Sequence, residues 1–302
     1  MLDILTRAGC FVAIILLGYT LRRTGVFGPE TFGVLSKVVM KITLPAALIA
    51  SAAGKPIDAS MLTLALLGLG GGLLYILAGW LLRLKGTASE KAFYIQNVPG
   101  YNIGTFALPF TQSFLGPVGV LTTSIFDLGN AIICFGASFS IARAVKEGGR
   151  ADFRRILKTA VSSLPFLTHL TMVLLNLNSL VPPKPILTLA EILGGGNACL
   201  AMLMIGVSMN ISVDTRKLGT IVKILAARYG IAVILAAVYY FMLPFSLEIR
   251  QTLVILAFAP IGSTVPVFTA ELGEDVGLSS TINSIAIVIS IVIIVALLTV
   301  ML

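Results

Sequence analysis

Long runs of uncharged, mostly apolar residues constrain this chain more than any other feature of its sequence. Residues 61–82 and 282–302 contain no Asp, Glu, Lys or Arg. Each run is as long as the roughly 20 apolar residues that a helix needs to cross a lipid bilayer. A transmembrane β-barrel would instead show alternating segments of about ten residues. The pattern therefore predicts an all-α membrane protein.

The composition excludes several other classes of protein. Only 11% of the 302 residues are charged and 57% are hydrophobic, and the mean hydropathy is +1.03. A soluble domain carries about 25% charged residues, so a cytosolic enzyme, a nucleic-acid binder and a disordered chain are poor interpretations. The net charge of +8 does not indicate nucleic acid, because the basic residues lie between the apolar runs, where they set topology. The predicted partners are the lipid bilayer and a small molecule, with a homodimer left open.

The apolar runs divide into ten predicted spans joined by short connections. The most basic connection, 143–158, marks the midpoint and predicts one five-helix repeat over 1–147 and another over 148–302. Five spans in each half would invert the second repeat relative to the first. The predicted spans are 4–21, 33–53, 61–82, 91–114, 118–142, 157–178, 185–211, 217–243, 247–272 and 277–301.

The distribution of Lys and Arg predicts the orientation of the chain. One set of connections carries 15 of the 21 basic residues, the opposite set carries four, and Lys41 and Arg228 lie within spans. Because cytoplasmic connections carry the excess of basic residues, both termini are expected outside the cytoplasm. The first run has no basic region before it and is followed by Arg22 and Arg23, as in a retained helix rather than a signal peptide.

Spans four and nine contain matching residues that interrupt helices. Span four reads Ile-Gly-Thr-Phe-Ala-Leu-Pro at 103–109, span nine reads Ile-Gly-Ser-Thr-Val-Pro at 261–266, and each holds an earlier proline. Proline removes a helical hydrogen bond, and unwound backbone within a membrane is tolerated only inside protein or beside a wet cavity. We therefore predict two broken helices that unwind near Pro109 and Pro266 and cross at the midplane to form a substrate site. A pair of packing kinks is the alternative.

Several short motifs, taken in order and spacing, resemble the auxin efflux carrier family. They are Gly-Tyr-Thr-Leu-Arg-Arg-Thr-Gly at 18–25, Leu-Ser-Lys at 35–37, Leu-Pro-Ala-Ala-Leu at 44–48, Asn-Ile-Gly at 102–104, Leu-Pro at 108–109 and Phe-Leu-Gly at 114–116. The resemblance implies ten helices in two inverted repeats, a fold shared with bile acid sodium symporters. It implies a scaffold of spans 1, 2, 6 and 7 and a moving transport domain of spans 3–5 and 8–10. It also implies transport of organic anions such as auxin, malate or malonate. Span seven departs from the family, because Asn197 and its neighbours lack the proline that would match Pro45.

Five ionisable residues are predicted within spans, where a charge near the centre costs at least about 2.5–3.5 kcal/mol. Arg228 is the candidate to attract the anion. Asp127 and Lys41 are candidates for proton or ion coupling. For Asp127 the reason is that burial favours the uncharged form of a carboxylic acid. A structural Asp127–Arg228 ion pair is the alternative, as is contact of Lys41 with lipid headgroups. His169 is predicted to be a core residue and Glu191 a solvated cap.

The remaining site candidates lie at the interruptions. A half-helix N-terminus offers unpaired N–H groups to a carboxylate, and neutral side chains beside it add donors that also permit release. Capping of the residues' own helices is the alternative. The predicted substrate-binding residues are Asn102, Gly104, Thr105, Pro109, Gly262, Ser263, Thr264, Pro266 and Arg228.

The leading functional hypothesis is a secondary active transporter of small organic anions that works by alternating access in a bacterial inner membrane. No cofactor, metal or catalytic residue is predicted. The chain lacks a P-loop, so H⁺, Na⁺ or the membrane potential is expected to supply the energy. A sodium-coupled symporter like the bile acid carriers is the first alternative. An intramembrane hydrolase pairing Ser138 or Ser140 with His169, and a channel, are the others. The glycine runs 68–72 and 194–196 lack the Lys-Ser/Thr of a phosphate loop and favour close helix packing.

Overall fold

The fold is a bundle of helices. A computed structural model describes residues 2–55, 57–210 and 214–302, and no strand occurs among them. The helices are α1 (Leu2–Arg23), α2 (Thr31–Ala52), α3 (Ser60–Leu82), α4 (Ala88–Asn97), α5 (Leu108–Phe114), α6 (Gly116–Glu147), α7 (Phe153–Val161), α8 (Leu164–Leu177), α9 (Lys184–Ser208), α10 (Thr215–Phe241), α11 (Leu247–Ala257), α12 (Val265–Glu271) and α13 (Val276–Met301). A π-helical turn, Ile103–Ala107, leads directly into α5.

The prediction of a helical membrane protein is confirmed. Within the described residues, seven helices are long and apolar enough to cross a membrane, namely α1, α2, α3, α6, α9, α10 and α13. Each of the other three predicted spans is divided between two shorter helices: α4 and α5 in span four, α7 and α8 in span six, α11 and α12 in span nine. Ten spans in two inverted repeats therefore stay a prediction.

The helices pack in two sets. In one set, α1 packs along α9, and α2 contacts both α8 and α9. In the other set, α3 packs along α6, α10 packs against α11, and α12 packs against α13. The Thr43 hydroxyl donates to the Asn197 side chain over 3.0 Å, which ties α2 to α9. Helix α6 contacts α8 as well as α3, so it joins the two sets.

Glycine lets the helices of each set approach backbone against backbone. A methyl group at Gly129 of α6 would overlap the carbonyl of Ala65 in α3, and one at Gly206 of α9 would overlap the carbonyl of Ile15 in α1. Gly68, in the first glycine run, faces the carbonyl of Phe126 in the same way. Helices in a membrane associate closely where small residues let their backbones touch, and the glycines at these positions do so.

We expect Gly129→Ala to destabilise the protein, because the added methyl group must push α3 and α6 apart. Overpacking of this kind costs about 1–3 kcal/mol, which thermal unfolding in detergent should register as a lower melting temperature. Gly70→Ala in α3 is the matched control, since nothing lies within 4 Å of a methyl group there and Ala is the better helix former. An equal fall in melting temperature in the two variants would contradict this account of the contact between α3 and α6.

Candidate functional site

Two interruptions define the candidate site. The helix of span four ends at Asn97 and helical structure resumes at Ile103, whereas that of span nine ends at Ala257 and resumes at Val265. The breaks therefore precede the predicted positions near Pro109 and Pro266. Pro266 lies in the first turn of α12, where the missing N–H group is not needed. Pro109 lies where the π-helical turn Ile103–Ala107 passes into α5. The prolines inside the gaps are Pro99 and Pro260.

The two interruptions touch each other. The backbone N–H of Asn102 donates to the carbonyl of Pro260 over 2.8 Å. The side chain of Asn130 in α6 accepts from the backbone N–H of Tyr101 at 3.0 Å and donates to its carbonyl at 2.9 Å. Gly100 takes a φ of +84°, which a residue with a side chain rarely adopts. The backbone groups of Tyr101, the N–H of Asn102 and the carbonyl of Pro260 are thus paired within the protein, as unwound backbone in a membrane must be.

Arg228 in α10 is bound to both interruptions. Its Nη1 donates to the carbonyl of Val98 at 2.8 Å and its Nη2 to the carbonyl of Ala259 at 2.6 Å. Its side chain is buried, with 1% of the residue exposed. The structure therefore directs this guanidinium at backbone oxygen atoms. Neither the predicted role in attracting the anion nor the alternative ion pair with Asp127 matches this geometry.

A small cavity of about 50 Å³ lies where the interruptions meet. Since a buried water needs about 10–15 Å³ of such volume, the cavity has room for a few waters or for the head of a small carboxylate. Met40 and Leu44 of α2 and Pro165 of α8 close its other side. Seven of the predicted site residues line it, namely Asn102, Gly104, Thr105, Asp127, Gly262, Ser263 and Thr264. Among the residues that the structure describes, Lys41, Pro109, Pro266 and Arg228 do not line it.

Asn102 offers the cavity a hydrogen-bond donor. Only 5% of the residue is exposed, and its Nδ2 has no partner in the described chain. Its Oδ1 accepts from the Thr105 hydroxyl, so the two side chains are held together. Leaving a buried donor unpaired costs about 1–3 kcal/mol. An acceptor bound in the cavity would remove that cost.

Asp127 in α6 faces the same cavity. Its Oδ1 accepts from Nδ2 of Asn130 at 2.8 Å, and its Oδ2 lies 3.2 Å from Nε2 of His169. Because His169 belongs to α8, this pair connects the two sets of helices. His169 is buried as predicted, but its partnership with Asp127 was missed, since residues so far apart in the sequence give no pattern that pairs them.

A larger cavity of about 740 Å³ adjoins the small one. Ser263 lines both. Most of the remaining wall comes from α1, α9, α12 and α13, and Phe32 of α2 also contributes. Arg22 and Arg23 lie at this cavity, and no acidic side chain lines it within the described ranges. A cleft lined by one sign of charge raises the local concentration of oppositely charged solutes. The sequence interpretation assigned the two arginines to topology and missed this position.

The other candidates lie elsewhere or are already engaged. Lys41 and Glu191 are exposed on the outer surface. The Ser138 hydroxyl donates to the carbonyl of Ile133 at 3.0 Å, and the Ser140 hydroxyl accepts from the backbone N–H of Asp152 at 2.7 Å. Neither serine contacts His169 in these bonds, so the geometry gives no support to the hydrolase alternative.

Two comparisons with known proteins agree with a transporter. Residues 10–150 match the family described as membrane transport protein. An uncharacterized transporter of Methanothermobacter thermautotrophicus is 25% identical over 285 residues, which cover 93% of this chain and 93% of that protein.

Proposed function

We propose that this protein is a secondary active transporter of small organic anions. The match of residues 10–150 to the membrane transport protein family supports the proposal, as do the motifs that resemble the auxin efflux carrier family. The observation that carries the proposal is the unpartnered Nδ2 of Asn102 in the cavity between two interrupted helices. A carboxylate oxygen is the acceptor that this buried donor lacks. The hydroxyls of Ser263 and Thr264 line the same cavity from span nine.

The size and charge of the two cavities support a small carboxylate as cargo. The small cavity where the two interruptions meet, called the crossing cavity from here on, admits little more than a carboxylate group in this conformation. The larger cavity takes a complete organic acid, and Arg22 and Arg23 draw anions into it. Neutral donors at the crossing then bind the anion without the strong pairing that would slow its release. Malate, malonate and auxin-like acids are the candidates that the family suggests.

Transport would proceed by alternating access between the two sets of helices. Helices α1, α2, α7, α8 and α9 form the scaffold, and α3–α6 with α10–α13 form the moving part. The packing supports this division, because the closest helix contacts fall within each set. The larger cavity opens on the side of Arg22 and Arg23, which the distribution of basic residues assigns to the cytoplasm. Ser263 lies at the passage from this cavity to the crossing.

Proton coupling is assigned to Asp127, the one carboxylate among the described residues that line the crossing cavity. Its contact with His169 spans the two sets of helices, so a movement between the sets must break or rebuild that contact. The exposed position of Lys41 gives no support to its predicted part in coupling.

Substitution of Asn102 tests the site. A thermal-shift screen against a panel of carboxylates first identifies an acid that stabilises the purified protein, since a ligand that binds the folded form raises its stability. We then expect Asn102→Ala to weaken binding of that acid about 10- to 100-fold. A hydrogen bond to a charged group contributes about 1.5–3 kcal/mol. The measurement is the concentration of acid that gives half of the maximal thermal shift.

Asn178→Ala is the matched control, because Asn178 is exposed and its amide donates only to the carbonyl of Leu174. An Asn102 variant that binds the acid as tightly as the wild type would remove this residue from the site.

A further inference from the structure

We propose that Arg228 is a tethered cation, whose guanidinium permanently fills the place between the two interruptions where a sodium-coupled carrier would bind its ion. The proposal deepens the proposed function, since it concerns the ion that drives the carrier. It also concerns the sodium-coupled alternative directly, because that alternative requires the unwound carbonyls to face an exchangeable cation.

The first step is that two negatively charged helix ends meet at the crossing. Helices α4 and α11 both end there, and each end carries unpaired carbonyls and the equivalent of about half a negative charge. The carbonyls of Val98 and Ala259 point at one guanidinium. Two converging negative ends away from water require a positive charge between them, and Arg228 supplies it from α10.

The second step is that the position is built around this side chain. The ring centroids of Tyr75 and Tyr101 lie 5.0 and 5.7 Å from the guanidinium carbon, within the range of cation–π attraction. The Tyr75 hydroxyl donates to the backbone carbonyl of Arg228 at 3.2 Å. The planar guanidinium reaches two carbonyls at once, which the single ammonium of a lysine does less well. Arginine also keeps its charge at every physiological pH. Because it is a side chain of α10, this cation cannot dissociate as a bound ion would.

The third step is the consequence for coupling. A sodium ion that used the Val98 and Ala259 carbonyls would have to displace a guanidinium held by two hydrogen bonds and two rings. The structure therefore leaves coupling to the proton site at Asp127 and gives Arg228 a positioning role. Arg228 holds the interruptions together while the cargo binds on the other side of the crossing.

Chemical rescue tests the proposal. Arg228→Ala removes the cation, and we expect the melting temperature of the purified protein to fall by roughly 5–10 °C. Free guanidinium at about 10 mM, far below the molar range that unfolds proteins, should restore at least half of that loss. Na⁺ or choline at the same concentration should restore much less. Arg228→Lys should give an intermediate melting temperature, because lysine keeps the charge but lacks the planar guanidinium that reaches two carbonyls at once.

Arg250→Ala is the matched control. Arg250 also donates to a helix carbonyl, that of Tyr240 at 2.7 Å, and lies over the Tyr240 ring, but it is outside the crossing. Guanidinium should raise the melting temperature of neither this variant nor the wild type. Failure of guanidinium to rescue Arg228→Ala would overturn the proposal.

A transport arm covers the case in which Arg228→Ala does not fold. Uptake by the wild-type protein in proteoliposomes should be equal in Na⁺ and in choline. Uptake that requires Na⁺, together with a melting temperature raised by Na⁺, would overturn the tethered cation. The melting experiments need no cargo. Guanidinium rescue in a protein that carries no carboxylate would therefore contradict the proposed function and leave the role of Arg228 intact.

Discussion

Replacement of Asp127 with asparagine is expected to abolish proton-driven uptake while the protein stays folded. Asparagine is nearly the same shape, so its side-chain oxygen still accepts from Asn130, and the contact with His169 is kept in a neutral form. What is lost is the carboxyl group beside the crossing cavity to which the proposed function assigns proton coupling. Uptake into proteoliposomes under an imposed pH gradient should fall at least tenfold, which corresponds to about 1.4 kcal/mol or more.

Exchange of labelled for unlabelled cargo separates coupling from binding in this variant. Exchange needs no proton gradient, so Asp127→Asn should retain it if the residue acts only in coupling. Glu191→Gln is the control, because Glu191 is a carboxylate on the exposed face of α9 and its loss should leave uptake unchanged. Wild-type dependence of uptake on the pH gradient in Asp127→Asn would remove Asp127 from the mechanism.

Replacement of Gly262 with leucine is expected to block transport by filling the crossing cavity. A methyl group at Gly262 meets its nearest neighbour, the Cys134 sulfur, at 3.7 Å, which is ordinary contact. Gly262→Ala should therefore be tolerated, whereas the larger side chain of leucine has only the cavity of about 50 Å³ to enter. We expect uptake to fall more than about tenfold in Gly262→Leu, and binding of the carboxylate to be lost with it.

The control for bulk is Gly219→Leu, at an exposed position of α10 where nothing lies within 4 Å of an added methyl group. It should transport like the wild type. Melting temperatures separate a filled cavity from a misfolded protein, since a blocked but folded Gly262→Leu should unfold close to the wild-type temperature. Full uptake by a folded Gly262→Leu variant would place the route of the cargo elsewhere.

The sequence predicted the interruptions well because their cause is local. Proline and glycine act on the backbone of their own turn, so two matched clusters indicated two breaks, and the neutral side chains next to them line one cavity. The gap in span nine ends directly before α12, whose first turn holds Pro266 and where a proline is stabilising. The gap in span four lies further from the predicted position, because helical hydrogen bonding resumes at Ile103, well before Pro109.

The contacts that depend on tertiary structure could not be predicted. Asp127 and Arg228 looked like partners, because both are charged and deep in their spans. The structure instead pairs Asp127 with His169 and gives Arg228 two backbone carbonyls. The rotation of each helix about its axis decides such contacts, and spans that are hydrophobic on all sides reveal little about that rotation. The same ambiguity applies to the cysteines. All three lie within apolar spans, yet Cys10 and Cys199 are exposed and only Cys134 lies at the crossing.

Asn130 contacts both the carboxylate of Asp127 and the unwound backbone at Tyr101, and Tyr101 directly precedes Asn102. A change of charge at Asp127 alters the strength of a hydrogen bond in this chain, and so alters how firmly the Asn102 donor is held. Thermodynamic linkage requires the converse, by an equal free energy. In the proposed mechanism, an acid bound at the crossing and a proton bound at Asp127 are therefore expected to influence each other's binding through the side-chain amide of Asn130.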